Sequence, residues 1–225
     1  MPIEVTVVRV FTDEKGAHGN PLGVVDADAV TDDTDRQALA KQLGFSETVF
    51  VTAPTDGAAP VRIFTPAVEL PFAGHPTVGA AWWLRNRGFD VDTLVTPAGR
   101  VDTRVRRGAT WVRSRPEWAP EFALHPMPHV GDVVHAHSRD YAIGHNYLWA
   151  WEDELEGRIR SRMFAPDLGI PEDEATGSAA VRITAHLRRS LLIHQGRGSH
   201  IRTIFGDDGY VEVGGLVRLE RTVDV

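Results

Sequence analysis

The strongest constraint on this 225-residue chain is a repeat within itself: Arg62-Ile63-Phe64-Thr65-Pro66 returns one hundred positions later as Arg162-Met163-Phe164-Ala165-Pro166. Each copy is followed by a loop and then by glycine among small residues, Gly74-His75-Pro76-Thr77 in the first and Gly177-Ser178-Ala179-Ala180 in the second. The same motifs in the same order point to duplication of one unit, because chance supplies single motifs more readily than ordered sets. The expectation is an α+β fold of two similar halves, 1–112 and 113–225, each a set of short strands around an enclosed helix. Both helix N-termini then face a shared cleft, where unpaired N–H groups and helix dipoles make it receptive to anions.

Local patterns fill in these halves. Ile3 to Phe11 is β-branched and alternates imperfectly, as a partly buried strand does, and Leu22 to Val25 suggests a second strand after a turn at Gly16 to Pro21. Thr31, Asp32 and Asp33 offer caps for a helix to Leu43, ended by Gly44. Phe45 to Val51 reads as strand with Glu47 inside an otherwise apolar run. Arg62 to Thr65 is a strand stopped by Pro66, and a helix from Pro76 to Leu84, apolar nearly all round, belongs inside a core. Residues 116–150, rich in Pro, His and Trp, give no clear pattern, whereas Gly206-Asp207-Asp208-Gly209 between two apolar runs marks a hairpin.

Composition narrows the function. With 31 acidic against 24 basic residues the net charge is −7, which argues against nucleic acid or an anionic membrane as the main partner. No apolar run approaches membrane-spanning length, and the first residues lack a basic stretch leading into an apolar one, so the expected location is the cytoplasm. The absence of cysteine rules out disulfides, thiolate metal sites and thiol catalysis. His125, His129, His135, His137 and His145 crowd one region but match no zinc spacing, and neither a Gly-x-Gly-x-x-Gly turn after a strand nor a Walker-type lysine is present. No cofactor or metal is expected.

Gly19-Asn20-Pro21, Ser46-Glu47-Thr48, Phe64-Thr65-Pro66, Glu69-Leu70-Pro71-Phe72-Ala73-Gly74-His75-Pro76-Thr77 and Glu172-Asp173 with Ala175-Thr176-Gly177-Ser178-Ala179-Ala180 together resemble the PhzF-like family of phenazine biosynthesis. That resemblance runs from residue 5 to about residue 217. It implies the diaminopimelate epimerase fold, a pseudo-symmetric pair of barrel-like halves each wrapped round a central helix. It also implies an isomerase acting on a small-molecule substrate, the family's best known activity being isomerisation of dihydro-3-hydroxyanthranilate, and commonly a homodimer. By the same resemblance Glu47 transfers the proton, His75, Asp173 and Ser178 line the cleft and orient substrate, and Ser46, Gly74 and Gly177 occupy cleft positions. The sequence departs from the family in three places. The second half is short before Arg162, Glu174 stands where proline commonly follows the aspartate, and the stretch after the second helix is compressed into Gly196-Arg197-Gly198-Ser199.

The chemistry of these residue types agrees. Moving a proton between carbons needs a group that accepts and then donates, and a carboxylate among apolar neighbours such as Phe45, Val49 and Phe50 has its pKa raised toward the working pH. An isolated glutamate on a strand is ordinarily solvated, and the surrounding motif is what favours the active role. His75 is a substrate anchor or a second acid or base, Asp173 a substrate ligand or a helix cap, and Ser178 a ligand contact, a cap or both. Thiol racemases of this fold use two cysteines, which this chain lacks, so one-base transfer by Glu47 is preferred over stereoinversion. An epimerase pairing Glu47 with His75 or Asp173, or a silent small-molecule-binding homologue, is the alternative. Trp111, Trp118, Trp149 and Trp151 fit either an interface or a core.

Overall fold

A computed structural model describes residues 2–225. The first half runs β1 (Glu4–Thr12), β2 (Asn20–Asp26), α1 (Asp33–Leu43), β3 (Thr48–Val51), β4 (Ala58–Phe64), β5 (Glu69–Leu70), α2 (Gly74–Asn86), β6 (Thr93–Thr96), β7 (Gly99–Arg106) and β8 (Ala109–Ser114). The second runs β9 (Ala123–Pro126), α3 (Val130–His135), β10 (Asn146–Asp153), β11 (Arg158–Ala165), β12 (Ile170–Asp173), α4 (Gly177–Leu187), β13 (Leu192–Gln195), β14 (Ser199–Phe205) and β15 (Val211–Asp224). Parallel neighbours need a crossover, and the helices supply it in matching places. α1 links β2 to β3, α2 links β4 to β6, α3 links β9 to β10 and α4 links β11 to β13.

The pairing order β1-β2-β3-β4-β6-β7-β8-β15 closes on itself because β15 bonds β8 through residues 211–215 and β1 through residues 216–224. Eight strands thus form a barrel whose axis is filled by α2. Ten of the thirteen α2 residues are buried. Small side chains are what admit it: a Cβ on Gly79 would lie 2.3 Å from Leu22 and 3.0 Å from Val10. The barrel is covered outside as well, by α1, whose Asp32 cap and left-handed Gly44 stop are those read from the sequence. This double cover explains the imperfect alternation of β1. Val8 and Val10 face the inner core while Val5 and Val7 join Leu39 and Ala40 of α1, and an irregularity between Val7 and Val8 shifts the phase.

The second half repeats the plan around α4 along β15-β14-β13-β11-β10-β9, but this sheet stops at β9. In the first half the strand preceding β2 is β1. In the second, the segment preceding β9 is a 3-10 turn, Pro116–Trp118, with Pro120 just beyond it, and two prolines in five residues suit a strand poorly. The shortened second half therefore leaves its barrel open. Trp111 and Trp149 are buried, and Trp118 and Trp151, partly exposed, pack against the core. None of the described helices is long and apolar enough to cross a membrane.

The halves meet where the two central helices begin. Gly74 opens α2 and Gly177 opens α4, and each faces the other's backbone. A Cβ on Gly74 would fall 2.7 Å from the Gly177 carbonyl carbon and 3.0 Å from the Ser178 nitrogen, and one on Gly177 would fall 2.8 Å from the His75 nitrogen. Backbone cannot yield as a flexible side chain does. Gly177→Ala is expected to destabilise the protein by about 1–3 kcal/mol, the range for overpacking, measured by chemical denaturation; a loss within error would mean that the helix ends separate at no cost.

Candidate active site

Around this contact the two halves place every candidate residue. Glu47 lies in the link from α1 to β3. The sequence reading put it inside a strand, but the ladder with β2 begins one residue later, at Thr48, because Phe45 to Glu47 are spent turning the chain out of the helix. His75, expected just before the helix, is instead the second residue of α2, since the contact at Gly74 sets where the helix starts. Its ring is 3% exposed and its Nδ1 lies 3.3 Å from Glu47 Oε2, while the Glu47 side chain is 17% exposed. Asp173 ends β12 and Ser178 is the second residue of α4, both buried. Ser46 adjoins Glu47; its hydroxyl is near enough to favour the carboxylate but is not aligned for a full hydrogen bond.

Asp173 is held from both halves. Asn20, the first residue of β2, donates through Nδ2 to Asp173 Oδ1 at 2.7 Å and to the Ala175 carbonyl at 3.0 Å. The Thr176 hydroxyl donates to Asp173 Oδ2 at 2.6 Å. Gln195 Nε2 then donates to Thr176 Oγ1 at 2.8 Å and to the Asp173 carbonyl at 3.0 Å. Because Thr176 spends its hydroxyl this way, α4 has no side-chain cap, and Ala73 can provide none for α2. Two helix N-termini thus keep unspent N–H groups beside the carboxyls. Glu47 Oε2, Thr48 Oγ1 and His75 Nε2 are buried without a hydrogen-bond partner. Unpaired buried polar atoms are costly, so a cluster of them marks a place where protein structure alone does not complete the bonding.

Burial dominates the electrostatics. Removal from water pushes Glu47 up to about 7, with the Ser46 hydroxyl opposing. Asp173 rises to about 6, first from burial and then from the nearby Glu47 charge, against the bonds from Thr176 and Asn20 and the influence of His75. The His75 ring falls to about 4 because burial disfavours its cation more than Asp173 and the Pro21 carbonyl favour it. Near neutrality the imidazole is therefore uncharged and the two carboxyls straddle their titration range.

All seven candidates from the sequence, Ser46, Glu47, Gly74, His75, Asp173, Gly177 and Ser178, fall in this neighbourhood. Asn20 was visible only as part of Gly19-Asn20-Pro21, and Gln195 carried no local signal, since its place depends on where β12 and β13 each pair along β11. The five crowded histidines disperse: His125 bonds Asn146 and His135 bonds the Gly131 carbonyl. Among the described residues no group of three or more potential metal-ligating side chains gathers.

Comparison with known proteins gives this geometry a context. The family model of phenazine biosynthesis-like proteins, PhzC-PhzF, matches residues 8–117 and 123–211. Trans-2,3-dihydro-3-hydroxyanthranilate isomerase of Pseudomonas aeruginosa is 33% identical over 232 residues, covering 85% of this chain and 82% of that protein. A phenazine biosynthesis protein of the PhzF family from Bacillus anthracis superposes with a TM-score of 0.75 at 21% identity, covering 100% of this chain and 99% of that one. A hydroxyproline epimerase from Agrobacterium vitis shares the fold at a TM-score of 0.64 and 13% identity, covering 100% and 92%. The paired helices enclosed by barrel strands are thus the diaminopimelate epimerase-like fold, and the chain belongs to the phenazine biosynthesis-like family, as an isomerase.

Proposed function

We propose that this isomerase moves a proton between two carbons of a small carboxylate-bearing substrate, with Glu47 as both acid and base and no cofactor. The observation that carries the reading is a nearly buried carboxylate, one oxygen unpartnered, 3.3 Å from a neutral imidazole in the first turn of a helix that has no side-chain cap. Glu47 accepts the proton, the C–H electron pair passes into conjugation with the substrate's unsaturated system, and the protonated Glu47 delivers that proton to a second carbon on the same face. A pKa of about 7 serves both directions, because neither protonation state is then expensive to reach. The free Nε2 of His75 is available to the substrate, and the N–H groups opening α2 and α4 suit its carboxylate.

The named relatives act on trans-2,3-dihydro-3-hydroxyanthranilate, so an amino or hydroxy acid of that cyclic kind is the first candidate. The same reading takes the enzyme as a cytoplasmic homodimer. One observation favours a second reading, epimerisation between Glu47 and Asp173: both carboxyls are raised, and the charge of Glu47 contributes to the rise at Asp173. Product stereochemistry separates the two.

In deuterium oxide with that dihydro acid as probe, Glu47→Gln is expected to lower turnover and deuterium incorporation by about 10²–10⁴-fold while circular dichroism stays native; turnover near the wild-type rate would remove Glu47 from the chemistry. In the wild type, kcat/KM should fall as pH drops through about 7, where Glu47 gains its proton. Asp173→Asn removes a neighbouring negative charge and should move that acid limb down by roughly 0.5–1 unit; an unmoved limb would mean that the two carboxyls do not sense each other.

Stability carries the opposite signature. A carboxyl raised in the folded state binds a proton more tightly there than in the unfolded chain, so its penalty is absent below the unfolded value of 4.5 and complete above about 7. Glu47→Gln should therefore be more stable than wild type at pH 8, by roughly 3 kcal/mol, with the difference gone by pH 4. Equal unfolding curves at pH 8 would contradict the burial cost assigned to Glu47.

A further inference from the structure

Glu174 stands outside the chemistry described above, yet its carboxylate is bonded more fully than that of any cleft residue. The side chain is 12% exposed. It accepts from Ser199 Oγ at 2.8 Å, from the Arg197 backbone N–H at 3.0 and 3.1 Å, and from Arg197 Nε at 3.2 Å. Ser199 is fully buried at the start of β14, and its oxygen accepts the backbone N–H of Gly19 at 3.0 Å. The residue after Gly19 is Asn20, whose carboxamide holds Asp173. The residue after Asp173 is Glu174. The bonds close a ring through Glu174, Ser199, Gly19, Asn20 and Asp173 that crosses twice between the halves.

We propose that Glu174 is a positioning residue, which acts through Ser199 and the Gly19 amide to hold the Asn20 carboxamide on Asp173. The inference rests on the reading of this cleft as the reaction centre, but the ring itself is a matter of bonding. Gly19 has a φ of 79°, and a Cβ there would meet Thr12 at 2.9 Å and the Val10 carbonyl at 3.0 Å, so backbone packing already confines the loop that carries Asn20. What packing does not supply is a partner for the buried Gly19 N–H. Ser199 provides it, and Ser199 keeps that acceptor lone pair turned to Gly19 because its own proton is committed to Glu174. A proline at position 174 has no side-chain acceptor and leaves the Ser199 proton free to rotate.

Charge and bonding predict opposite responses, which makes the ring testable. Asp173 is faced by Glu47 and His75, and Glu174 by Arg197 with Arg160 nearby. Loss of the Asn20 bond disfavours the Asp173 carboxylate, whereas loss of the Glu174 charge favours it. The experiment follows the side-chain carboxyl carbons of the uniformly ¹³C-labelled protein by NMR from pH 4 to 9. Ser199→Ala changes no charge and should raise the Asp173 titration by about one unit. Glu174→Gln keeps an acceptor for Ser199 and should leave it level or lower. Glu174→Ala, at a carboxylate whose arginine partner is largely exposed, should raise it again despite the lost charge. Curves for Ser199→Ala and Glu174→Ala that overlay wild type, or fall below it, would overturn the ring. If Ser199→Ala does not fold, Glu174→Ala against Glu174→Gln gives the same decision. No turnover is needed, so failure here is distinct from failure of the proton-shift mechanism. With the dihydro acid as substrate, Glu174→Ala should lower kcat several-fold more than it raises KM, with recovery in Glu174→Gln.

Discussion

Everything at the cleft depends on two glycines lying against each other's backbone. Gly74 and Gly177 let the N-termini of α2 and α4 approach more closely than any side chain permits. With larger residues the helix ends would stand apart, and the half carrying Glu47 and His75 would no longer share a cleft with the half carrying Asp173. The contact also brings together two sets of unspent N–H groups, which repel one another unless something negative lies near.

The surroundings of those carboxyls pull in two directions. Asp173 accepts one hydrogen bond at each oxygen, from Asn20 and Thr176, which favours its charge even as burial opposes it. Glu47 has little such support, so burial governs it. One buried carboxyl is thus tied to its neighbours by hydrogen bonds, and the other is governed by its removal from water. His75, kept neutral by its surroundings, lies beside Glu47 without imposing a cation that would lock it in the charged form. The cost is carried by the apolar interior of the two halves, where valines, leucines and isoleucines from the barrel strands surround the small-residue helices.

Much of this was legible in the sequence because duplication leaves a mark that local physics does not erase. The Phe-x-Pro copies locate β4 and β11, and the small-residue helix starts locate α2 and α4. Asp32 and Gly44 bound α1 by capping chemistry alone. Glu47 was recognisable by its motif, but its exact placement was not, since the apolar run around it hides a change from loop to strand that only the β2 ladder defines. Residues 116–150 resisted reading for a similar reason: β9 and β10 are parallel neighbours joined through α3, and no short window records that pairing. Asn20, Gln195 and Ser199 act across the halves, at separations that sequence pattern does not register.

The strand β15 sets an order on how the protein can acquire its shape. Val5 pairs with Val223, 218 positions later, while residues 211–214 of the same strand bond β14 of the other half. The first barrel is consequently not a unit that can finish by itself during synthesis. Until β15 arrives, β1 and β8 present open edges around a helix that is apolar on nearly every side, and long-range closures of this kind are slow and leave intermediates exposed. The two halves, alike in plan, are in this sense a single folding commitment, completed by a strand that serves both.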